Sequence, residues 1–196
     1  MKQKNTNTIT FMLGASGSGK SRHVKKEAAR TNAFVIDPDE IKAKLNKDQP
    51  LSKDKNAELH PAASDIAAKM LEAYFNNTEA FKDNFSCDNV IFDNRGKSPI
   101  KVLKRIEKAK EAGLTIKVIY VEVELLNCLL NVFIRNIKSN RSMYLQEVIN
   151  AYETMKISVA ICRILHITGI LEMQTVQGYR RIKSKKICNL LKVGKV

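Results

Sequence analysis

The sequence is poor in the residues on which several classes of protein depend. It contains no tryptophan and only 6% aromatic residues, whereas proteins that bind single-stranded nucleic acid usually present aromatic platforms to the bases. No apolar run approaches the ~20 residues of a membrane-spanning helix, so we expect no membrane partner. The first eight residues, MKQKNTNT, are polar, and we expect no signal peptide.

Cysteine and histidine are too scattered to indicate a metal centre or a disulfide framework. The sequence has no CxxC pair, and no two histidines share a ligand spacing: Cys87, Cys128, Cys162, Cys188, His23, His60 and His166. Isolated cysteines of this kind are typical of reduced thiols, which predicts a cytoplasmic location.

Acidic residues are also scarce, and this imbalance is uneven along the chain. There are 34 basic and 20 acidic residues, a net charge of +14. Half of that excess lies in residues 179–196, YRRIKSKKICNLLKVGKV, which include no acid. We therefore predict a domain over residues 1–178 and a basic tail over residues 179–196 that binds polyanions non-specifically. The charge leaves nucleic acid open as a partner.

The strongest motif follows an apolar, β-prone run near the start of the chain. Residues 14–21, GASGSGKS, match the phosphate-loop pattern G-x-x-x-x-G-K-[ST] at every defined position. Glycines allow successive N–H groups to point at an anion, a lysine reaches the terminal phosphates, and a hydroxyl binds Mg²⁺. The sequence therefore predicts ATP and Mg²⁺ as cofactors, with Ser21 as a metal ligand. The predicted nucleotide-binding residues are Gly14, Ala15, Ser16, Gly17, Ser18, Gly19, Lys20 and Ser21.

Short apolar strands alternate with helical patterns along most of the chain. This alternation predicts an α/β fold of three layers, αβα, around a mostly parallel sheet. We expect strands near residues 8–13, 33–37, 89–93, 115–123 and 170–176, and helices near 20–30, 61–75, 98–112, 125–137 and 145–165. The lysine- and asparagine-rich residues 43–56 are predicted to form a surface loop.

Acidic residues follow two of these strands, at the sheet edge where parallel sheets bind ligands. A carboxylate there can take the proton of a phosphate acceptor. Of the acids at the end of the second strand, Asp39 is the better candidate for this role because it lies beyond the strand end. The alternative is that Asp39 and Glu40 only begin a helix. Asp93 can bind Mg²⁺ or the acceptor hydroxyl, or can simply form a turn with Asn94.

Two arginines lie on either side of a predicted helix break. Arg135 and Arg141 can clamp the terminal phosphate if this segment is a mobile lid. Their spacing alone fits ordinary surface charge equally well, so the clamp is a hypothesis at this point.

Several stretches together resemble the zeta toxin family of phosphate-loop kinases. They are GASGSGKS, FVIDPDEIK, ELHPAASDIAAKML, NVIFDNRGKSPIKVLKRIEKAKEAGLTIKVIYVEV and FIRNIKSNRSMYLQEVINAYETM. The resemblance implies a kinase-type fold with a helical lid, and transfer of phosphate from ATP to the 3′-hydroxyl of the sugar in UDP-N-acetylglucosamine. It also implies an antitoxin protein as partner.

The resemblance also assigns roles to individual residues. Lys20 and Ser21 become nucleotide and metal ligands, Asp39 the general base, and Asp93 an acid near the sugar. Arg135 and Arg141 become the lid arginines. The sequence departs from the family at Asp93-Asn94-Arg95-Gly96, where an acid-Gly-Thr sequence is common, and after the last strand.

Two other functions fit the same sequence. The basic balance suits a polynucleotide or nucleoside kinase of the same fold. The divergent end suits a non-catalytic protein that binds ATP without turnover.

Overall fold

A parallel sheet forms the centre of the chain, as the alternating pattern predicts. The computed structural model describes residues 7–47, 53–76, 78–85, 87–139 and 143–179. Within these residues the strands are β1 (Thr8–Leu13), β2 (Ala33–Ile36), β3 (Asn89–Asp93), β4 (Thr115–Glu122) and β5 (Glu172–Gln177). Their order across the sheet is β2-β3-β1-β4-β5, with every neighbouring pair parallel. The fold class is therefore confirmed.

Helices cover both faces of this sheet. They are α1 (Lys20–Thr31), α2 (Pro38–Leu45), α3 (Lys53–Asn76), α4 (Thr78–Phe85), α5 (Pro99–Glu111), α6 (Leu125–Ser139) and α7 (Leu145–Ile167). On one face, Val24 of α1 packs with Met12, Ile91, Ile119 and Val121. On the other face a larger cluster unites Ile9, Phe11 and Leu13 with apolar residues of α3, α5 and α7. The alternation of β1 residues between the two clusters explains why almost the whole strand is apolar.

The loop predicted over residues 43–56 is shorter than expected. Helix α2 continues to Leu45, and α3 begins at Lys53 instead of residue 61. Pro61 lies inside α3, where proline normally breaks a helix because it lacks the N–H that bonds to the preceding turn. The helix predicted near residues 61–75 is therefore present but begins eight residues earlier than expected.

The two predicted helices near the lid are present. The side chain of Tyr152 in α7 donates to the carbonyl of Val123 at 3.0 Å, and the buried Ser158 hydroxyl donates to the carbonyl of Gly96. These bonds fix α7 to the loops at the carboxyl edge of the sheet. Helix α6 ends where residues 140–142 fall outside the described part of the chain.

No helix among the described residues is both long enough and apolar enough to cross a membrane.

Candidate active site

The phosphate loop connects the central strand β1 to α1. Gly19 precedes the helix with φ 82°, in the left-handed region, where a side chain would be strained. The loop is closed by a hydrogen bond of 3.1 Å from the Ser18 N–H to the carbonyl of Ala15. The N-terminus of α1 thus opens towards a cavity of about 330 Å³ that residues 14–17 and 19–22 line. A helix N-terminus with free N–H groups is a site for phosphate.

Helix α6 packs directly against this loop. A Cβ atom on Gly17 would lie 2.3 Å from the carbonyl oxygen of Cys128, and Gly17 has φ 85°. The Asn131 side chain also donates to the carbonyl of Gly17 at 2.8 Å. Helix α6 therefore contacts the backbone of the phosphate loop directly. The absence of a side chain at Gly17 allows this close approach.

Lys20 lines the cavity at the phosphate loop, hereafter the nucleotide cavity. Its ammonium forms an ion pair with Asp93 at the end of β3. Both side chains are nearly buried. Burial lowers the pKa of the Lys20 ammonium to about 8, which Asp37 and Asp39 oppose and Arg95 reinforces. Lys20 is therefore mainly charged at neutral pH. The structure brings together the predicted residues Lys20 and Asp93.

Asp37 and Asp39 play different parts at the start of α2. The Asp37 carboxylate accepts a hydrogen bond of 2.7 Å from the Asp39 N–H, so Asp37 caps the helix. Asp39 instead lines both the nucleotide cavity and a neighbouring one, and its side chain is 58% exposed. It forms an ion pair with the buried Lys42 one turn later.

The pKa of Asp39 reflects this pair. Burial raises the pKa, but the hydrogen bond and charge of Lys42 outweigh burial, and the pKa is lowered overall. Asp39 is consequently ionised at neutral pH, as a proton acceptor must be.

A second cavity, of about 270 Å³, lies beside the first and shares three residues with it: Lys20, Asp39 and Arg95. Its other charged residues include Arg105, which lies 4.5 Å over the ring of Phe92. Burial lowers the pKa of this guanidinium, although Glu72 opposes the effect. Cations lining this cavity without an ion pair to any described residue are Arg95, Lys97, Lys101 and Arg105.

A third cavity of about 570 Å³ extends from the second towards α7, and His60, Arg95 and Lys97 line both. Burial, with the charges of Lys42, Arg95 and Lys97, lowers the pKa of His60, so this imidazole is neutral at pH 7. The second and third cavities together form a basic space beside the nucleotide cavity.

The two predicted lid arginines have different outcomes. Arg135 lies on α6, four residues after Asn131, and lines the nucleotide cavity. Arg141 falls outside the described residues, as does Ser142. The clamp by Arg135 and Arg141 therefore stays a prediction.

The donor set fits Mg²⁺ bound with its nucleotide. The described residues contain no group of three or more Asp, Glu, His or Cys side chains that could hold a metal by themselves. Ser21 presents a hydroxyl in the nucleotide cavity, and Asp93 provides a carboxylate at the neighbouring strand end. Mg²⁺ bound to phosphates needs only one or two such ligands.

Chain beyond β5 also reaches the phosphate loop. The Tyr179 N–H donates to the carbonyl of Ser18 at 2.8 Å, and Tyr179 lines the nucleotide cavity. Tyr179 is the one residue of the predicted tail that the structure describes. The boundary predicted at residue 178 stays a prediction.

Sequence reasoning missed several residues of this site. Lys42 is three residues after Asp39, and Asn131 is four residues before Arg135, so helical spacing would have identified both. In the sequence Arg95 stands out only as a departure from the family pattern, although it lines all three of these cavities. Nothing in the local sequence indicates that Tyr179 returns to the phosphate loop.

The chain matches the family model described as Zeta toxin over residues 1–184. Among curated proteins, none matches the sequence.

Solved structures of two other systems illustrate this fold at low sequence identity. A structure of the PezAT chromosomal toxin–antitoxin system of Streptococcus pneumoniae is 18% identical, with a TM-score of 0.61 over 94% of this chain and 74% of that chain. The AvrRxo1-ORF1:-ORF2 complex is 18% identical, with a TM-score of 0.68 over 89% of this chain and 57% of that chain. The same complex with ATP has a TM-score of 0.65 at 15% identity and covers 97% and 65%. The present chain thus spans less than two thirds of the AvrRxo1 chain.

Proposed function

Because the chain belongs to the zeta toxin family, we propose that it is an ATP-dependent kinase that phosphorylates a hydroxyl group of an anionic small molecule. The observation that carries this proposal is the meeting of two cavities at Lys20, Asp39 and Arg95. A nucleotide in one cavity and an acceptor in the other would have their reacting groups side by side at these three residues.

On the donor side, the phosphate loop supplies the anion site. Backbone N–H groups at the start of α1 bind the phosphates, and Lys20 adds a positive charge near the terminal phosphate. Arg135 approaches from α6 and neutralises charge on the transferred group. Ser21 and Asp93 would hold Mg²⁺, which neutralises phosphate charge when it is bound.

On the acceptor side, Asp39 serves as the general base. Its carboxylate accepts the proton of the acceptor hydroxyl while the hydroxyl oxygen bonds to the γ-phosphorus. The bond from that phosphorus to the bridging oxygen breaks, and ADP leaves. Lys42 keeps the carboxylate ionised and in place before the acceptor binds.

The charge of the second cavity favours an acceptor that carries phosphate. Three carboxylates line it, but Asp39 pairs with Lys42, Asp93 pairs with Lys20, and Asp37 caps α2. The unpaired cations named above therefore dominate the cavity. UDP-N-acetylglucosamine, with its diphosphate and free sugar hydroxyls, is the acceptor we propose.

An antitoxin is the proposed protein partner. The similar AvrRxo1 structure is a complex of ORF1 with ORF2, and PezAT is a toxin–antitoxin system. Both relatives are under 25% identical to this chain, so the proposal of an antitoxin partner rests on the shared family and not on similarity to either protein.

A transfer assay with γ-labelled ATP tests the function. Purified protein is incubated with UDP-sugars, nucleosides and oligonucleotides, and labelled products are separated. We expect label on UDP-N-acetylglucosamine. Label on nucleosides or oligonucleotides would favour the nucleoside or polynucleotide kinase, and ATP binding without any transfer would favour the non-catalytic protein.

Matched variants distinguish catalysis from contamination. Lys20→Ala should abolish transfer, while Lys69→Ala should not, because Lys69 is exposed on α3 and pairs with Asp65. Equal activity in both variants would show that the label comes from another enzyme.

A further inference from the structure

The end of β5 continues into a short segment that crosses the phosphate loop. The Gly178 N–H donates to the carbonyl of Glu122 at 2.9 Å, which extends the pairing of β5 with β4. The next N–H, of Tyr179, turns to the carbonyl of Ser18. A Cβ atom on Gly19 would lie 2.8 Å from Cβ of Tyr179. The tyrosine side chain therefore starts directly beside the last glycine of the loop.

Asn131 of α6 connects these two backbone segments. Its amide donates to the carbonyl of Gly17 at 2.8 Å and to the carbonyl of Tyr179 at 3.2 Å. The opposite orientation of the amide would place its oxygen against two carbonyl oxygens, so these contacts fix which end is nitrogen. Phosphate loop, α6 and the segment after β5 thus meet at one side chain.

The nucleotide cavity has a direction. Lys20, Asp39 and Arg95 line both this cavity and the second cavity, in which the acceptor is proposed to bind, so the terminal phosphate belongs at their end. Tyr179 and Asn131 line the nucleotide cavity alone. Tyr179, whose side chain is half exposed, lies beside Gly19 in the part of the nucleotide cavity that the second cavity does not share.

We infer that Tyr179 is the residue against which the base of ATP packs, and that Asn131 positions both Tyr179 and the phosphate loop. An aromatic face beside the phosphates matches the π-face that every nucleobase offers. This inference rests on the proposed function, because it assumes ATP in the nucleotide cavity. It goes further by giving the nucleoside its own binding residue.

Comparison of ATP with inorganic tripolyphosphate isolates the contribution of the base. Both ligands are titrated with Mg²⁺ into the full chain by calorimetry. Tyr179→Ala should raise the Kd for ATP about 10-fold, the effect of one lost stacking contact, and leave the Kd for tripolyphosphate unchanged. Tyr179→Phe keeps the ring and should bind both like the unsubstituted chain.

Asn131→Ala should behave differently, since Asn131 holds the loop itself. Loss of its two hydrogen bonds should weaken ATP and tripolyphosphate alike, about 5-fold. Tyr144→Ala is the matched control, because Tyr144 is an exposed tyrosine that does not line the nucleotide cavity. It should leave both Kd values unchanged.

Four results would overturn the inference. An unchanged ATP affinity in Tyr179→Ala would show that the base lies elsewhere. An equal loss of affinity for ATP and for tripolyphosphate in that variant would show that Tyr179 only supports the phosphate loop. Unchanged affinities in Asn131→Ala would show that Asn131 does not position the loop. If the unsubstituted chain binds tripolyphosphate but gains nothing from the nucleoside, the inference fails while a triphosphate site remains. Failure to bind either ligand would overturn the proposed function itself.

Discussion

Asp39 and Asp37 are two residues apart, yet the structure separates their chemistry. Asp37 is engaged as the cap of α2, whereas Asp39 faces both cavities. We expect Asp39→Asn to reduce phosphate transfer by ~10²–10⁴-fold, the usual contribution of a general base, with ATP affinity near normal. Asp37→Asn should cost less activity, and it should change the free energy of unfolding little because the amide oxygen of asparagine can also cap a helix.

Single-turnover transfer, ATP calorimetry and thermal unfolding measure these effects separately. Asp65→Asn, an exposed aspartate paired with Lys69, is the control for the loss of one negative charge. A larger loss of transfer in Asp37→Asn than in Asp39→Asn would show that the base is assigned to the wrong residue.

The lowered pKa of Lys20 makes ATP binding sensitive to alkaline pH. In the free protein the pKa is about 8, and a bound triphosphate favours the ammonium and raises it. ATP binding above pH 8 must therefore take up a proton, and affinity should fall by up to ~10-fold for each further pH unit. Calorimetry in two buffers of different ionisation enthalpy measures that uptake directly.

Lys20→Ala provides the comparison for this experiment. Its ATP affinity should be weak and nearly constant between pH 7 and pH 9.5, as it lacks the titrating group. A wild-type affinity that is constant over the same range would mean that Lys20 does not lose its proton there.

Some residues of the candidate site were predictable because their chemistry is local in sequence. The spacing of residues 14–21 identifies the phosphate loop. Asp39 and Asp93 are recognisable because they follow short strands. Asn131 and Tyr179 act through contacts with residues far away in the sequence. Only the folded chain reveals such pairs.

At the level of elements, the close approach of β5 to the phosphate loop depends on glycine. A Cβ atom on Gly178 would lie 2.2 Å from Cγ2 of Val123 and 2.4 Å from the Ser18 carbonyl oxygen. We expect Gly178→Ala to lower the free energy of unfolding by ~1–3 kcal/mol, as overpacking does, and to weaken ATP binding. Chemical denaturation and ATP calorimetry measure the two effects.

Gly113→Ala is a suitable control for this substitution. Gly113 has φ 69° and nothing within 4 Å of an added Cβ, so only backbone strain should act. It should lose stability but keep its ATP affinity. If Gly178→Ala binds ATP normally, the segment after β5 does not support the nucleotide site.

Helices were predicted well where one face is apolar and poorly where capping decides the boundary. Helix α5 combines Ser98, Pro99 and a regular apolar stripe, and it begins where expected. Helix α2 depends on the Asp37 cap, and α3 begins eight residues before Pro61. In both cases long-range packing or a single side chain extends a helix into a polar sequence that has little periodicity.

At the scale of the whole molecule, one carboxylate joins two layers. Glu27 of α1 bonds to Arg30 and to Lys117 of β4, at 2.7 and 2.9 Å. The hydrogen bond from Arg30 outweighs burial and, with Lys117, lowers the pKa of Glu27 to about 2. This stabilisation is present above the unfolded pKa of about 4.5 and is lost as pH falls towards 2.

Glu27→Gln should therefore reduce the free energy of unfolding at pH 7. We expect about 1 kcal/mol, because Arg30 is exposed and solvent screens the pair. The difference from the unsubstituted chain should shrink below pH 4.5, as urea denaturation at several pH values would show. Glu111→Gln, at the end of α5, is the control, and a constant difference across the pH range would contradict the ionic origin.

The architecture of the molecule followed from the sequence more fully than its details did. Alternating strands and helices predict a parallel sheet because such strands need crossover helices. The strand order β2-β3-β1-β4-β5 is not encoded in any one segment. It places β1 between β3 and β4, and this central position brings Asp93 to Lys20.

The residues that hold the phosphate loop in place are synthesised long after the loop itself. Gly17 bonds to a residue 114 positions later, and Ser18 bonds to Tyr179, later still. Synthesis proceeds from the N-terminus, so the loop is the first part of the site to leave the ribosome. Its contacts can form only after the last part of the site has been synthesised. An unfinished chain carries the whole phosphate-binding motif without the contacts that shape it. During synthesis, the phosphate loop therefore lacks its hydrogen bonds to Asn131 and Tyr179 until both residues have been made.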